Sequence, residues 1–274
     1  MTDTQGYVLG QSARAARRLE IQDGQFAEVS ERLLNDLALR PNDRVVELGC
    51  GAGGFSRRIL RRLGEGGVLV GVDYTEGLLA QAKSTLAGPG PARFEPVLAD
   101  IAKLGPWLDG ADVVVGRTVL HHIPMVEFVL GRLRAALRPG TRIGFLEPDF
   151  RTPLARLAYL DATGRPEVAP LGVWATAINH LYEARLLSPD IGAGLGQTLE
   201  TAGYRHVRGS WSESSSDGVT IENMLMFYDE VREPLQSLGI LSTKQIEEQQ
   251  RLLRALDPER VPAVWGIYSV VCET

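Results

Sequence analysis

The chain has 274 residues, of which 44% are hydrophobic and 23% charged, with a formal net charge of −5. That length supports a large α/β core with no need of staples, and two cysteines, Cys50 and Cys272, suit a reducing compartment and cannot make a disulfide framework. The acidic balance disfavours a protein that grips phosphate backbones; no run approaches the ~18 apolar residues of a membrane span; and the polar start, residues 1–11, lacks a signal-peptide core, so a cytoplasmic protein is expected.

The first forty residues read as helices. Ala13-Arg14-Ala15-Ala16-Arg17-Arg18-Leu19 is rich in helix formers, and Phe26, Val29, Leu33, Leu34 and Leu37 recur at helical spacing before Pro41-Asn42-Asp43 stops the pattern. Strand and helix then alternate. Strands are expected at 44–48, 67–72, 91–98, 111–115 and 141–146, and helices at 55–63, 75–86 (with Thr75 as N-cap) and 125–137. Such alternation builds parallel βαβ units with helices on both sheet faces. After Pro148 the rhythm breaks, and 154–162 and 173–187 read as helices with no strand between them, a helical insertion after the fifth strand. A helix at 189–202 ends at Gly203. Strands at 204–212 and 262–271 then flank helices at 221–235 and 243–256, the last capped by Ser242. The Ser214-Ser215-Ser216-Asp217-Gly218 cluster reads as a loop.

The segment Val45-Val46-Glu47-Leu48-Gly49-Cys50-Gly51-Ala52-Gly53-Gly54 is the most informative. A strand runs into a glycine-rich turn and then a helix, which lets a ligand touch main-chain atoms that any Cβ would cover. Gly-x-Gly alone is shared by dinucleotide and methyl-donor sites. The glycines here fall as Gly49-x-Gly51-x-Gly53, although Gly54 also completes a dinucleotide spacing. Glu47, two residues before the first glycine, suits a cationic group and would repel a pyrophosphate. Asp73 ends the second strand, where a carboxylate accepts both ribose hydroxyls, each charge-assisted bond being worth roughly 1.5–3 kcal/mol. A ligand with a ribose, an amino group and no phosphate fits this set, and S-adenosylmethionine is that ligand. NAD is the competing one. Cys50 reads as a small residue in a tight loop, not a reactive thiolate.

Glu47-x-Gly49-x-Gly51-x-Gly53, Asp73, Asp100, the strand at 111–115 and Leu137-Arg138-Pro139-Gly140 resemble the class I S-adenosylmethionine-dependent methyltransferases, in order and spacing, over residues 41–147. The nearest resemblance is to small-molecule enzymes of the menaquinone/ubiquinone-biosynthesis type and their secondary-metabolite relatives. Tyr7-Val8-Leu9-Gly10, Gly116-Arg117-x-Val119-Leu120, Glu147-Pro148-Asp149 and Ile191-Gly192 with Ala202-Gly203-Tyr204 are a softer match to the same group. The resemblance implies a Rossmann-like α/β fold: a seven-stranded, mostly parallel sheet with helices on both faces, N-terminal helices and a helical lid after strand 5. It implies one domain over 1–274: an N-terminal cap at 1–40, a cofactor core at 41–150, a lid at 151–203, and 204–274 completing the sheet. It also implies roles. Gly49 and Gly51 would face the methionine part, Glu47 its ammonium, directly or through water, and Asp73 the ribose. Tyr74 and Ile101 would cover the adenine faces, with Asp100 on its amino group. Arg117 would reach the methionine carboxylate or else be a solvated loop arginine.

Methyl transfer from a sulfonium is an in-line displacement that needs positioning and a dry site, with no metal. A hydroxyl or carbon acid must also lose a proton. Leu120-His121-His122-Ile123-Pro124 follows the fourth strand on the rim where such sheets bind ligands, and holds two of four histidines. Adjacent residues cannot both face one site, so at most one is the base; the competing reading has one capping the next helix or packing on the lid. No Cys/His cluster has metal-ligand spacing. Glu147, ending the fifth strand, would bind substrate or assist deprotonation, or else hold Arg151; Asp149 reads as solvated or a helix cap. Tyr159, Trp174, His180 and Tyr182, with Tyr7 and the first helix, would line an aromatic pocket or fill the lid's own core.

The expected function is therefore methyl transfer to O, N or C of a small organic molecule, in secondary metabolism or quinone-like biosynthesis. The sequence has no Asn/Asp-Pro-Pro-Tyr/Phe motif after the fourth strand and no basic module, which disfavours a nucleic-acid methyltransferase. A non-methylating binder such as a cyclase, and an NAD oxidoreductase, compete with it. No nucleic acid or membrane partner is expected, and N-terminal helices of this kind often pack across a homodimer or higher homo-oligomer.

Overall fold

The computed structural model describes residues 13–88, 90–165, 168–213, 218–261 and 266–274. Tyr7-Val8-Leu9-Gly10 and the Ser214-Ser215-Ser216-Asp217 loop lie outside the described residues. Two helices, α1 (Ala13–Gln25) and α2 (Ala27–Asp36), precede the alternating core. That core runs β1 (Arg44–Leu48), α3 (Gly54–Leu60), β2 (Val68–Asp73), α4 (Glu76–Thr85), β3 (Arg93–Leu98), β4 (Val113–Arg117), α5 (Val126–Ala136) and β5 (Arg142–Asp149). After it come α6 (Thr152–Ala162), α7 (Ala169–Ala184), α8 (Ile191–Thr201), β6 (Arg205–Glu213), α9 (Gly218–Ser237), α10 (Thr243–Arg254) and β7 (Gly266–Glu273).

The seven strands form one sheet in the order β3-β2-β1-β4-β5-β7-β6. The first five are parallel, and β7 runs antiparallel to both β5 and β6. The expected α/β fold with a mostly parallel seven-stranded sheet and N-terminal helices is thus present. Strand alternation divides the apolar residues between two layers. Val46, Leu48, Val70, Val72 and Val114 face α5 and α8, whereas Val45, Leu69, Val113 and Val115 face α2 and α3. The parallel register brings the ends of β1, β2, β4 and β5 to one rim, and the site is built there.

Local capping is mixed. Ser242 caps α10 in a full capping box with Gln245. Thr75 stands at the N-cap of α4 but makes no side-chain cap, and its amide donates to Asp73 Oδ1 at 2.8 Å.

The expected division of the C-terminal half is corrected in two places. Helix α8 does not belong to the lid. Its Ile191, Leu195 and Leu199 pack on the sheet, and a Cβ on Gly192 would lie 2.5 Å from the Glu147 carbonyl oxygen. Conversely, α9 and α10, between β6 and β7, do not complete the sheet. Their Ile221, Met224, Phe227, Tyr228, Val231, Ile246 and Leu253 share a core with Leu157, Leu171, Trp174, Ile178 and Tyr182 of α6 and α7. The helical layer expected as a lid consists of α6, α7, α9 and α10, from two separate segments of the chain. Among the described residues, no helix is long and apolar enough to cross a membrane.

Candidate active site

The turn after β1 adopts a conformation that its glycines make possible. Gly49, Gly51 and Gly53 have φ of 68, 51 and 87°, all in the left-handed region that a side chain disfavours. A Cβ at Gly49 would lie 2.5 Å from Val119 Cγ2, and one at Gly53 would lie 3.1 Å from Leu86. The amides of Gly49 and Cys50 donate to the Val72 carbonyl, which ties the turn to β2.

Asp73, almost fully buried at the end of β2, accepts from Gly51 N and Thr75 N, both at 2.8 Å. Burial pushes its carboxyl above the usual range, opposed by those amides. The carboxylate is thereby fixed beside the turn, where a ribose is expected. Tyr74, next in sequence, is 41% exposed, a face open to a planar ring. Asp100 caps the short turn Ile101–Lys103 by accepting from Ala102 N at 3.0 Å, and it stays half exposed with Lys103 at 3.6 Å. Ile101 packs partly into the layer beneath.

Glu47 lies beneath the turn at 1% exposure, its Oε2 accepting from Ser56 Oγ at 2.6 Å. Burial raises its pKa to about 8, with Ser56 and Arg117 opposing. The deep placement argues against direct contact with a ligand ammonium and leaves the water-mediated contact.

Arg117 is neither solvated nor open. Its Nη1 donates to Asp23 Oδ1 at 2.8 Å and to Ser30 Oγ at 3.2 Å, and its guanidinium lies 5.0 Å from the Phe55 ring centroid. Asp23 also pairs with Arg58 at 3.2 Å. Burial works to raise the Asp23 pKa, but Arg117 and Arg58 outweigh it and hold the carboxyl below the usual range. Sequence reasoning missed Asp23, since an aspartate in the polar run Gln22-Asp23-Gly24 carries no signal of its own.

The two histidines differ in environment. His121 is buried, and its Nδ1 lies 2.7 Å from Glu147 Oε2. Glu147 is fully buried and also accepts from Val119 N and Leu120 N at 2.9 Å and from His121 N at 3.3 Å. This corrects the Arg151 reading and the direct substrate contact expected of Glu147, while assistance to deprotonation could run only through His121. It neither faces substrate nor holds Arg151, which pairs instead with Glu183 and Asp190. It anchors the turn that carries His121. Asp149 Oδ1 accepts from Arg151 N and Thr152 N at 2.9 and 3.1 Å, capping the start of α6. His122 Nδ1 sits 3.5 Å from the Tyr182 hydroxyl. Desolvation, then His121 and Arg18, hold its imidazole well below the usual range, so it is neutral at pH 7.

Both histidines line a cavity with Phe26, Phe150, Trp174, Ile178, Tyr182 and Phe227. Its polar lining comes from Arg18, Gln22, Thr118 and Asn223. The His121 ring stacks on Tyr182 at 5.7 Å with an interplanar angle of 15°. Trp174 and Tyr182 are thus both lid core and cavity wall, while Tyr159 and His180 are exposed. Among the described residues, no group of three or more His, Cys, Asp and Glu is arranged to hold a metal ion.

Residues 46–143 match a methyltransferase domain model. The chain is 35% identical over 144 residues to a trans-aconitate 2-methyltransferase of Variovorax paradoxus, covering 52% of this chain and 53% of the relative. It is 30% identical over 194 residues to the nocamycin O-methyltransferase of Saccharothrix syringae, covering 67% of this chain and 66% of that one. The chain therefore spans between half and two thirds of the length of these curated relatives. Among solved structures, a mycolic acid cyclopropane synthase complexed with SAH superposes with a TM-score of 0.60 at 14% identity, covering 92% of this chain and 85% of the other.

Proposed function

Because the chain belongs to the class I S-adenosylmethionine-dependent methyltransferases of the small-molecule type, we propose that it methylates an oxygen of a flat, largely apolar metabolite, with His121 as general base. One observation carries this reading: His121 lines an aromatic cavity while its Nδ1 is held by a buried carboxylate at 2.7 Å. With Nδ1 so engaged, Nε2 is the nitrogen left to take a proton. Glu147 is then a positioning residue. It fixes the tautomer and supplies a counter-charge when the ring is protonated. His122, neutral and beside the Tyr182 hydroxyl, shapes the wall.

S-adenosylmethionine, when bound, supplies an electrophilic methyl on a sulfonium. The residues present suit it. Gly49 and Gly51 clear main-chain space for its methionine part, and Asp73 takes the ribose hydroxyls. Tyr74 and Ile101 border the adenine, Asp100 accepts from its amino group, and Arg117 faces the carboxylate. Glu47 meets the ammonium through water and Ser56. The aromatic walls align the acceptor and exclude water. An oxygen acceptor in secondary metabolism is favoured by the likeness to the nocamycin O-methyltransferase and by the presence of a carboxylate-backed histidine, which a free amine would not need.

The reading is tested by incubating the protein with S-adenosylmethionine and a panel of phenolic, enolic and carboxylic metabolites, and reading methyl gain by mass spectrometry. Turnover should fall about a hundredfold or more in His121→Ala and far less in His122→Ala. Equal activity of both variants and wild type refutes the base.

A further inference from the structure

We infer that Asp23 is a cofactor-site residue, an internal carboxylate on α1 that competes with the cosubstrate's own carboxylate for Arg117. The inference rests on the proposed role of Arg117.

The guanidinium of Arg117 is placed by fixed parts of the core. Its Nη1 reaches Ser30 of α2 at 3.2 Å, and its Cζ lies 5.0 Å from the ring centre of Phe55. Phe55 is the second residue of α3 and follows the glycine turn directly, so this cation stands where the chain leaves the turn. Helix α1 crosses that point. A Cβ on Gly51 would lie 3.3 Å from Leu19, and one on Gly54 would lie 3.1 Å from Asp23 Cγ. Asp23 thus brings a carboxylate to the end of the turn expected to receive the amino-acid part of the cosubstrate.

The partners of Asp23 are not equivalent. Arg58 has a second acid, Glu31, at 3.1 Å. Arg117 has no other carboxylate contact among the described residues. When Asp23 leaves, Arg58 stays paired and Arg117 does not. A largely buried guanidinium without an anion is costly, so Arg117 then draws a replacement carboxylate. The two Nη1 protons of Arg117 are both taken, by Asp23 and Ser30, so a cosubstrate carboxylate that binds at Nη1 must displace Asp23. The exchange also reaches the substrate. Arg18, five residues earlier on α1, lines the aromatic cavity and pairs with Glu230 of α9 at 3.1 Å, so a shift of α1 at Asp23 moves a wall of that cavity.

The test is calorimetric binding of S-adenosylhomocysteine and of 5′-methylthioadenosine, which has the nucleoside and sulfur but no amino acid. Asp23→Asn should bind S-adenosylhomocysteine about tenfold more tightly than wild type, the scale of one charge-assisted contact, with methylthioadenosine affinity unchanged. Unchanged affinity for both ligands overturns the inference. Weaker S-adenosylhomocysteine binding also overturns it and makes Asp23 the ammonium's partner. Failure of wild type to bind S-adenosylhomocysteine at all instead overturns the proposed function. Wild-type hydrogen exchange gives a readout without substitution: the amides at 21–25 should exchange faster when S-adenosylhomocysteine is added, and slower or unchanged exchange counts against the competition.

Discussion

Two substitutions at Glu147 separate its structural work from its chemical work. Its carboxylate accepts from Val119 N and Leu120 N at 2.9 Å and from His121 N at 3.3 Å, and it holds His121 Nδ1 at 2.7 Å, with no exposed surface. Glu147→Ala leaves these buried donors unmet. At ~1–3 kcal/mol for each of the three well-formed bonds lost, from Val119 N, Leu120 N and His121 Nδ1, the cost is roughly 3–9 kcal/mol, a large share of a typical total of ~5–15 kcal/mol. The melting temperature should fall by about 10 °C or more. Glu147→Gln is gentler. Its amide oxygen still accepts from Val119 N and Leu120 N, so it should lose only about 1–2 kcal/mol. Its NH2, however, cannot accept a proton from Nδ1. It donates there, the ring proton moves to Nε2, and the lone pair leaves the cavity. Methyl transfer to a hydroxyl should then drop by about 10²–10⁴ in a protein that still folds and still binds S-adenosylhomocysteine. The assays are a thermal melt, calorimetry and single-turnover methylation. A Gln variant with wild-type turnover refutes the dyad, and an Ala variant with wild-type melting refutes the anchor.

The other predictions concern the cofactor half. Gly49→Ala places a Cβ 2.5 Å from Val119 Cγ2 at a φ of 68°, and should weaken S-adenosylhomocysteine binding at least about tenfold while lowering the melting temperature; unaffected binding would mean the turn tolerates a side chain. Asp73→Ala removes the acceptor for Gly51 N and Thr75 N and the expected ribose ligand, so calorimetry should show S-adenosylhomocysteine affinity reduced at least about tenfold, and unchanged affinity removes Asp73 from the site. Glu47 has a pKa raised from 4.5 to about 8, so the folded protein keeps a proton that the unfolded chain releases. Stability should therefore decline as pH rises through that window, at up to about 1.4 kcal/mol per unit, and level off above it. Glu47→Gln should abolish that decline in denaturant titrations at pH 5, 6.5 and 8, and parallel curves for the two proteins would show that Glu47 titrates normally.

What the sequence makes legible follows from how local each requirement is. A left-handed turn demands glycine at its own position, so Gly49-x-Gly51-x-Gly53 announces itself. Asp73 is legible because the apolar run of β2 ends on it. Long-range partnerships leave no such mark. Glu147 meets residues 119–121 only because β4 and β5 are parallel with Arg117 opposite Leu146, which closes a loop of nearly thirty residues. The meeting of Arg117 and Asp23 spans even more chain and depends on where α1 lies across the rim. The lid has the same difficulty. The apolar faces of α8 and α9 look alike in sequence, yet one packs on the sheet and the other on α7.

Helix α1 touches both the glycine turn with Arg117 and the aromatic cavity. The proposed cofactor half lies at strand ends whose positions the parallel register fixes. The substrate half is made of helices inserted after β5 and between β6 and β7, and nothing in the sheet dictates their approach. Leu19 and Asp23 rest on the glycine turn and Arg117, Arg18 and Gln22 line the aromatic cavity together with Leu19, and Gln25 bonds to Asn223 of α9 at 2.7 Å. The pairs Arg18–Glu230 and Gln25–Asn223 run in opposite senses along the two helices, so α1 and α9 lie antiparallel and any displacement of α1 acts on the lid along its length. Helix α1 is thus held at one edge by the glycine turn and Arg117 and at the other by α9. The two halves should accordingly bind their ligands with positive or negative cooperativity. The sign is set by whether the α1 position that admits the cosubstrate carboxylate widens or narrows the cavity between Arg18 and Phe227.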